Sequence, residues 1–126
     1  MKFRFLLIGL ISTSSYANVL YKDTLTFASS SKVARDVSNC EVIYDKLYGT
    51  SNLSSKFKTY ALFEMSMEGM KKDLKSNQMA EYNFGYQFQK TYWNGWYSAI
   101  TTQSSEGARK VMTMIYKKSN CEEYLK

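Results

Sequence analysis

The sequence predicts an all-α protein, a small bundle of about four helices stapled by one disulfide, which follows a cleaved signal peptide. Three segments of the chain carry apolar residues at alternating steps of three and four, the period of an amphipathic helix. Two cysteines, Cys40 and Cys121, lie within the region expected to be exported. Proline is absent and 44% of the residues are hydrophobic, which indicates a packed core rather than disorder.

An N-terminal leader accounts for residues 1–17. The chain opens with the basic MKFR, continues with the apolar run FLLIGLI, and then reaches SYA, which places small residues at the two positions that determine cleavage. This run is far shorter than the ~20 apolar residues of a bilayer-spanning helix, so a transmembrane anchor is the weaker interpretation. Residues 18–126 then form one small exported domain, and we expect it to be periplasmic or secreted.

The chain is basic, with a formal net charge of +6 at pH 7, and removal of a leader that contains Lys2 and Arg4 leaves +4. Outside the cytoplasm, such an excess indicates weak contact with an anionic envelope surface or an acidic protein rather than with nucleic acid. A solvated face without a partner is the other interpretation.

Cys40 and Cys121 are expected to form a disulfide, because an even number of cysteines in an oxidising compartment is typical of such a bond. The bond ties the first predicted helix to the C-terminal end of the chain. Two free thiols or a redox pair are the alternatives, and the lack of a C-x-x-C spacing argues against the redox pair.

The first predicted helix begins near Ser29 and ends at Gly49, after an irregular arm at residues 18–28. Its apolar stripe follows steps of four, three, four and three. The members of this stripe are Val33, Val37, Cys40, Tyr44 and Leu47. Gly49 supplies the left-handed stop that commonly ends a helix. A loop of small polar residues follows, in which Ser54 or Ser55 caps the next helix.

The second predicted helix has the most regular apolar stripe in the chain, and we expect this stripe to be buried. Its members recur at steps of three and four, one turn after Phe57: Tyr60, Phe63, Met67, Met70 and Leu74. Methionine-rich surfaces bind partners adaptably, but this spacing favours core packing. The last predicted helix covers residues 106–117, after the cap signal of Ser104 and Ser105. Its inward residues are Ala108, Val111, Met112 and Ile115.

Eight aromatic residues lie between positions 82 and 97. Read as strands, they fall largely on one face at a period of two, and Asn94-Gly95 forms the type I′ turn of a hairpin. Read as a helix, they form two stripes on a central helix that packs between the others. The helix is favoured because a lone hairpin is marginal without a third strand, and no other segment supplies one. An α+β fold with an aromatic hairpin at residues 82–102 is the alternative.

Catalysis is not expected from this sequence. It contains no histidine, which is the commonest general base near neutral pH and the commonest metal ligand. With both cysteines paired, thiol catalysis and zinc–thiolate sites are excluded as well. Glu64 and Glu68 lie one helical turn apart, but the lysines beside them favour a solvated face over a catalytic pair. No metal, small-molecule cofactor or nucleic-acid ligand is therefore expected.

A partner-binding site is expected near the end of the aromatic stretch, and its residues are Trp93, Trp96, Tyr97 and Lys90. The reason is that the rings there supply more area than a small core can bury. That both tryptophans belong to the core is the alternative. The predicted function is to bind and neutralise or mask a protein partner in the cell envelope, as an immunity protein, an inhibitor of a wall-degrading enzyme or a phage exclusion factor. The alternative is a structural or chaperone-like envelope protein that binds unfolded clients or the membrane surface.

Overall fold

The computed structural model describes residues 19–126, so the predicted signal peptide at residues 1–17 lies outside the described residues. It contains five α-helices and a C-terminal 3₁₀ helix: α1 Lys22–Ser29, α2 Lys32–Tyr48, α3 Ser54–Lys71, α4 Ala80–Gln103, α5 Ser105–Lys118 and the 3₁₀ helix Cys121–Leu125. The helical prediction is confirmed for this part of the chain. The alternative hairpin at residues 82–102 is wrong, because those residues lie in α4. Residues 19–126 contain five α-helices rather than about four.

The additional helix is α1, which replaces the irregular arm expected at residues 18–28. Its only buried side chains are those of Thr24 and Ala28. Both are small, so the segment has no large apolar stripe that would reveal a helix. Its last turn packs against α4, where Ala28 lies directly opposite Gly85.

The most buried helix of the bundle is α2, which packs against α3, α4 and α5. Four members of its predicted stripe are buried, and the fifth, Val33, packs against the core from its edge. The Oγ of Ser31 caps the helix by accepting a hydrogen bond from the Ala34 N–H at 3.3 Å. The helix ends at Gly49, whose φ of 84° lies in the left-handed region that glycine adopts without strain. The predicted end of this helix is therefore confirmed, whereas its start is at Lys32 rather than near Ser29, which is the last residue of α1.

The predicted disulfide between Cys40 and Cys121 is present, with Cα atoms 5.4 Å apart. Both cysteines are fully buried. The bond joins the middle of α2 to the first residue of the 3₁₀ helix. Three residues further on, the Tyr124 ring packs against Tyr60, with ring centroids 4.9 Å apart, and against Phe57 at 6.5 Å. The C-terminal turn is therefore held against both α2 and α3.

The orientation of α3 is opposite to the prediction. The residues that face the core recur every four positions and are Phe57, Ala61, Met65 and Gly69. The stripe expected to be buried instead points outward, with Tyr60, Phe63, Met67 and Met70 between 38% and 67% exposed. Small residues explain the difference, because Ala61 and Gly69 allow α3 to approach its neighbours closely. At Gly69, a Cβ atom would overlap the hydroxyl of Tyr82.

The last α-helix, α5, begins where Ser104 accepts a hydrogen bond from the Gly107 N–H at 3.1 Å through its Oγ. Ala108 and Met112 are buried, as predicted. Val111, predicted to face inward, is exposed. The inward row continues from Met112 to Tyr116 instead, which follows the same four-residue step as in α3.

A buried carboxylate joins the N-terminal arm to the start of α4. The Oε1 of Glu81 accepts hydrogen bonds from the backbone N–H of Tyr21 at 3.2 Å and of Asn77 at 3.0 Å. The Oε2 accepts from the same Asn77 N–H and from the Ser76 hydroxyl, both at 3.0 Å. Burial alone would raise the pKa of Glu81, but these donors and its own backbone N–H outweigh burial, so its pKa lies below the usual 4.5.

We expect Glu81→Gln to lower the free energy of unfolding at neutral pH by about 1.5 kcal/mol, because the amide turns an acceptor oxygen into a donor that faces other donors. Since the pKa of Glu81 is lowered by folding, its charge stabilises the fold fully above pH 4.5 and progressively less as the pH falls through the folded pKa. The difference between the protein and the variant, measured by urea denaturation, should therefore shrink in acid. Glu68→Gln, at an exposed site of α3, is the control. A difference that stays constant with pH would contradict this role for Glu81.

Candidate protein-binding surface

The outer face of α4 carries a continuous row of exposed aromatic side chains, which we name the aromatic ridge. Its members are Phe84, Phe88, Tyr92 and Trp96, with exposed fractions of 50, 57, 58 and 43%. Residues four apart are neighbours on a helix surface, so the rings follow one another along the helix. The row turns slowly around α4 because a step of four residues exceeds the 3.6 of one turn.

A shallow, open concavity lies along the ridge, and its lining is almost entirely apolar. It is lined by Phe84, Gln87, Phe88, Thr91 and Tyr92. The two polar members, Gln87 and Thr91, carry no charge. Both also line a polar cleft between α2 and α4, so the ridge borders that cleft on one side.

The outer face of α4 has no charged side chain. The helix contains 24 residues, and its only charged members are Glu81 and Lys90. Glu81 is buried in the network described above, and Lys90 turns towards α2. A helix face that is exposed, aromatic and uncharged differs from an ordinary solvated face, where charged residues dominate.

Lys90, one of the predicted site residues, is engaged within the fold. Its Nζ lies 3.3 Å from the Oε2 of Glu41 and 4.0 Å from the Oδ2 of Asp45. The same Oε2 of Glu41 accepts a hydrogen bond from the Tyr86 hydroxyl at 2.8 Å. Burial, followed by the charge of Glu41, raises the pKa of Tyr86 well above its usual value, so its hydroxyl stays neutral and donates. These contacts fix the inner face of α4 to α2.

The other three predicted site residues lie together but differ in exposure. Tyr97 is buried, and its hydroxyl donates a hydrogen bond to the Oδ1 of Asn39 at 2.5 Å. Burial raises the pKa of Tyr97 to about 12. Trp93 packs against the edge of the core, and its indole N–H donates to the Arg35 carbonyl at 3.0 Å. Trp96 is exposed, with its ring centroid 5.0 Å from that of Tyr97.

The sequence therefore pointed to one ridge member, Trp96, and missed the other three. Phe84, Phe88 and Tyr92 were expected on one face of the alternative hairpin. In the helical interpretation, Phe88 and Tyr92 belonged to the second stripe of a buried helix. The signal that identifies them is the distribution of charge. Between positions 82 and 103, Lys90 is the sole charged residue. So long a segment with one charge is unusual in a surface helix, whose exposed face normally carries several.

No protein-family model matches this chain, and no curated protein or solved structure matches it either. Within residues 19–126, no helix is both long enough and apolar enough to cross a bilayer. The same residues contain no cluster of three or more histidine, cysteine, aspartate or glutamate side chains that could hold a metal ion. The aromatic ridge is the most distinctive surface of the described chain.

Proposed function

We propose that this protein is a non-enzymatic exported binding protein that neutralises or masks a protein partner in the cell envelope, and that the aromatic ridge is its binding surface. The observation that carries the proposal is the row of four exposed aromatic side chains on a helix face without charge. The centres of protein interfaces are enriched in aromatic residues and depleted of charged ones. Monomeric proteins rarely leave a continuous apolar surface of this kind uncovered.

The geometry of the ridge indicates the shape of the partner. Rows of side chains four residues apart pack into a groove between helices or into the surface of a single crossing helix. The partner therefore presents either an apolar groove between helices or one apolar helix that crosses α4. Tyr97 and Lys90 support the ridge from inside, because one is buried and the other is ion-paired. Trp96 contacts the partner directly.

We expect Phe88→Ala and Tyr92→Ala each to weaken partner binding by about 30-fold or more, which corresponds to the ~2 kcal/mol of an interface hot spot. Their thermal unfolding midpoints should stay nearly unchanged, because more than half of each side chain is already exposed. The partner is first isolated from envelope extract on the tagged protein, and its affinity for each purified variant is then measured by calorimetry.

The matched control is Met114→Ala, which removes a side chain that is 61% exposed on α5 and is not a member of the ridge. It should leave affinity unchanged. If Phe88→Ala and Tyr92→Ala bind the partner as tightly as Met114→Ala does, the ridge is not the binding surface.

A second candidate function is chaperone-like binding of unfolded clients, and one observation favours it. Met67 and Met70 were expected in the core, yet they are 42% and 67% exposed. Flexible methionine side chains adapt to apolar segments of many shapes. Many weakly bound clients would support this function, whereas one partner bound at a fixed stoichiometry would support neutralisation.

A further inference from the structure

A second exposed apolar surface lies on α3 and is separate in composition from the aromatic ridge. We name it the α3 stripe, and its members are Tyr60, Phe63, Met67 and Met70. The stripe lies on the opposite side of the helix from the buried row, so it points directly away from the core. The ring of Tyr60, at the N-terminal end of the stripe, packs against the Tyr124 ring.

Lysines stand at both ends of the α3 stripe. All are exposed, with Lys56 at the N-terminal end and Lys71, Lys72 and Lys75 at the C-terminal end. Lys56 precedes Tyr60 by one helical turn, and Lys71 follows Met67 by one turn. Within residues 19–126, none of these lysines forms an ion pair with a carboxylate. The Nζ of Lys56 donates a hydrogen bond to the Leu125 carbonyl oxygen at 3.4 Å. The side chains of the other three lysines make no hydrogen bond within the described residues, so their charges are available to a ligand.

The acidic residues nearby do not cancel this charge. Residues 54–75 contain five lysines against Glu64, Glu68 and Asp73. Glu64 and Glu68 lie along one flank of the stripe, displaced towards the buried face of α3. A flat surface that approaches along the stripe therefore meets apolar groups in the middle, Lys56 at one end, and three lysines against Asp73 at the other.

We infer that the α3 stripe rests on an anionic lipid surface, with α3 parallel to the membrane plane. Apolar and aromatic side chains inserted at the boundary between headgroups and acyl chains, with lysines reaching the phosphates, are typical of interfacial helices. The aromatic ridge has no lysines at its ends, so we assign the two surfaces to different ligands. The inference does not depend on the partner proposed for the ridge, and it provides a means to hold the protein near envelope targets.

The test is flotation of the protein, purified in the form that cells accumulate, with phosphatidylglycerol–phosphatidylethanolamine vesicles and with phosphatidylcholine vesicles. We expect binding to the anionic vesicles only, weakened by salt because surface charges are screened. Lys71→Gln and Lys72→Gln should each weaken binding by about fivefold, as expected for lysines near an anionic surface. Phe63→Ser should weaken it by about tenfold through lost apolar insertion.

A matched variant on the other surface makes the test decisive. Phe88→Ser on the ridge removes a ring that is 57% exposed, against 59% for Phe63. It should leave lipid binding unchanged. Equal losses for Phe63→Ser and Phe88→Ser, binding that ignores lipid charge, or no binding to anionic vesicles would each overturn the inference. Circular dichroism confirms that each variant is folded, and the lysine variants decide the outcome if Phe63→Ser is destabilised. Partner affinity is measured separately, so either surface can fail alone.

Discussion

Reduction of the Cys40–Cys121 disulfide should lower the free energy of unfolding by about 4 kcal/mol. The bond joins residues separated by 81 positions, and closing so long a loop removes much of the conformational entropy of the unfolded chain. Small domains are stable by roughly 5–15 kcal/mol, so the bond supplies a large share of the stability. Urea denaturation of the oxidised and reduced protein measures the difference directly.

Loss of structure after reduction of the disulfide should be largest at the C-terminal 3₁₀ helix. Without the bond, the 3₁₀ helix is held by the Tyr124 ring against Phe57 and Tyr60 and by the hydrogen bond that the Tyr116 hydroxyl donates to Glu122. Hydrogen exchange should therefore increase first in residues 121–125. The double variant Cys40→Ala with Cys121→Ala is the control, because reductant should not change its stability. A reduced protein as stable as the oxidised one would show that the disulfide is not a major source of stability.

Periodicity in the sequence predicted where the helices lie better than which way they face. In α2 the apolar stripe and the buried face coincide, so both were predicted. In α3 the predicted stripe repeats as regularly, yet it points outward. The row that points inward alternates large Phe57 and Met65 with small Ala61 and Gly69. A repeat shows that a helix has an apolar face, but the size of the residues on the other face decides how closely a neighbour can pack. That choice depends on the partner helix, which periodicity does not describe.

The choice between helix and strand for residues 82–102 was ambiguous because α4 carries aromatic side chains on two faces. Tyr82 and Tyr86 point inward while Phe84 and Phe88 point outward. Because both faces carry rings, the aromatic residues alternate along the sequence and imitate a strand. Asn94-Gly95, which would have formed the turn of the alternative hairpin, lies on the exposed side of the continuous helix. Two apolar faces also explain why the four residues predicted as a partner-binding site include only one member of the aromatic ridge, Trp96.

We expect Gly85→Ala to lower the free energy of unfolding by about 2 kcal/mol, although alanine is the better helix former. The helix preference alone favours alanine by up to ~1 kcal/mol. Against this, a Cβ atom at position 85 would overlap the backbone carbonyl group and the Cβ of Ala28. A backbone cannot rotate aside as a side chain does, so α1 must move, and overpacking of this kind costs about 3 kcal/mol. Movement of α1 also strains the hydrogen bond between Glu81 and the backbone N–H of Tyr21, the residue that precedes α1.

Gly95→Ala separates the effect of helix preference from the effect of overpacking. Both glycines lie in α4, but only Gly85 is in close contact with another helix. A Cβ at Gly95 meets nothing within 4 Å. Gly95→Ala should therefore gain the helix preference alone and raise stability by up to ~1 kcal/mol. Thermal unfolding then gives opposite shifts for the two variants, with a fall of roughly 10 °C for Gly85→Ala. If both variants are stabilised, α1 does not pack against α4 at this glycine, and the assignment of the inner and outer faces of α4 has to change with it.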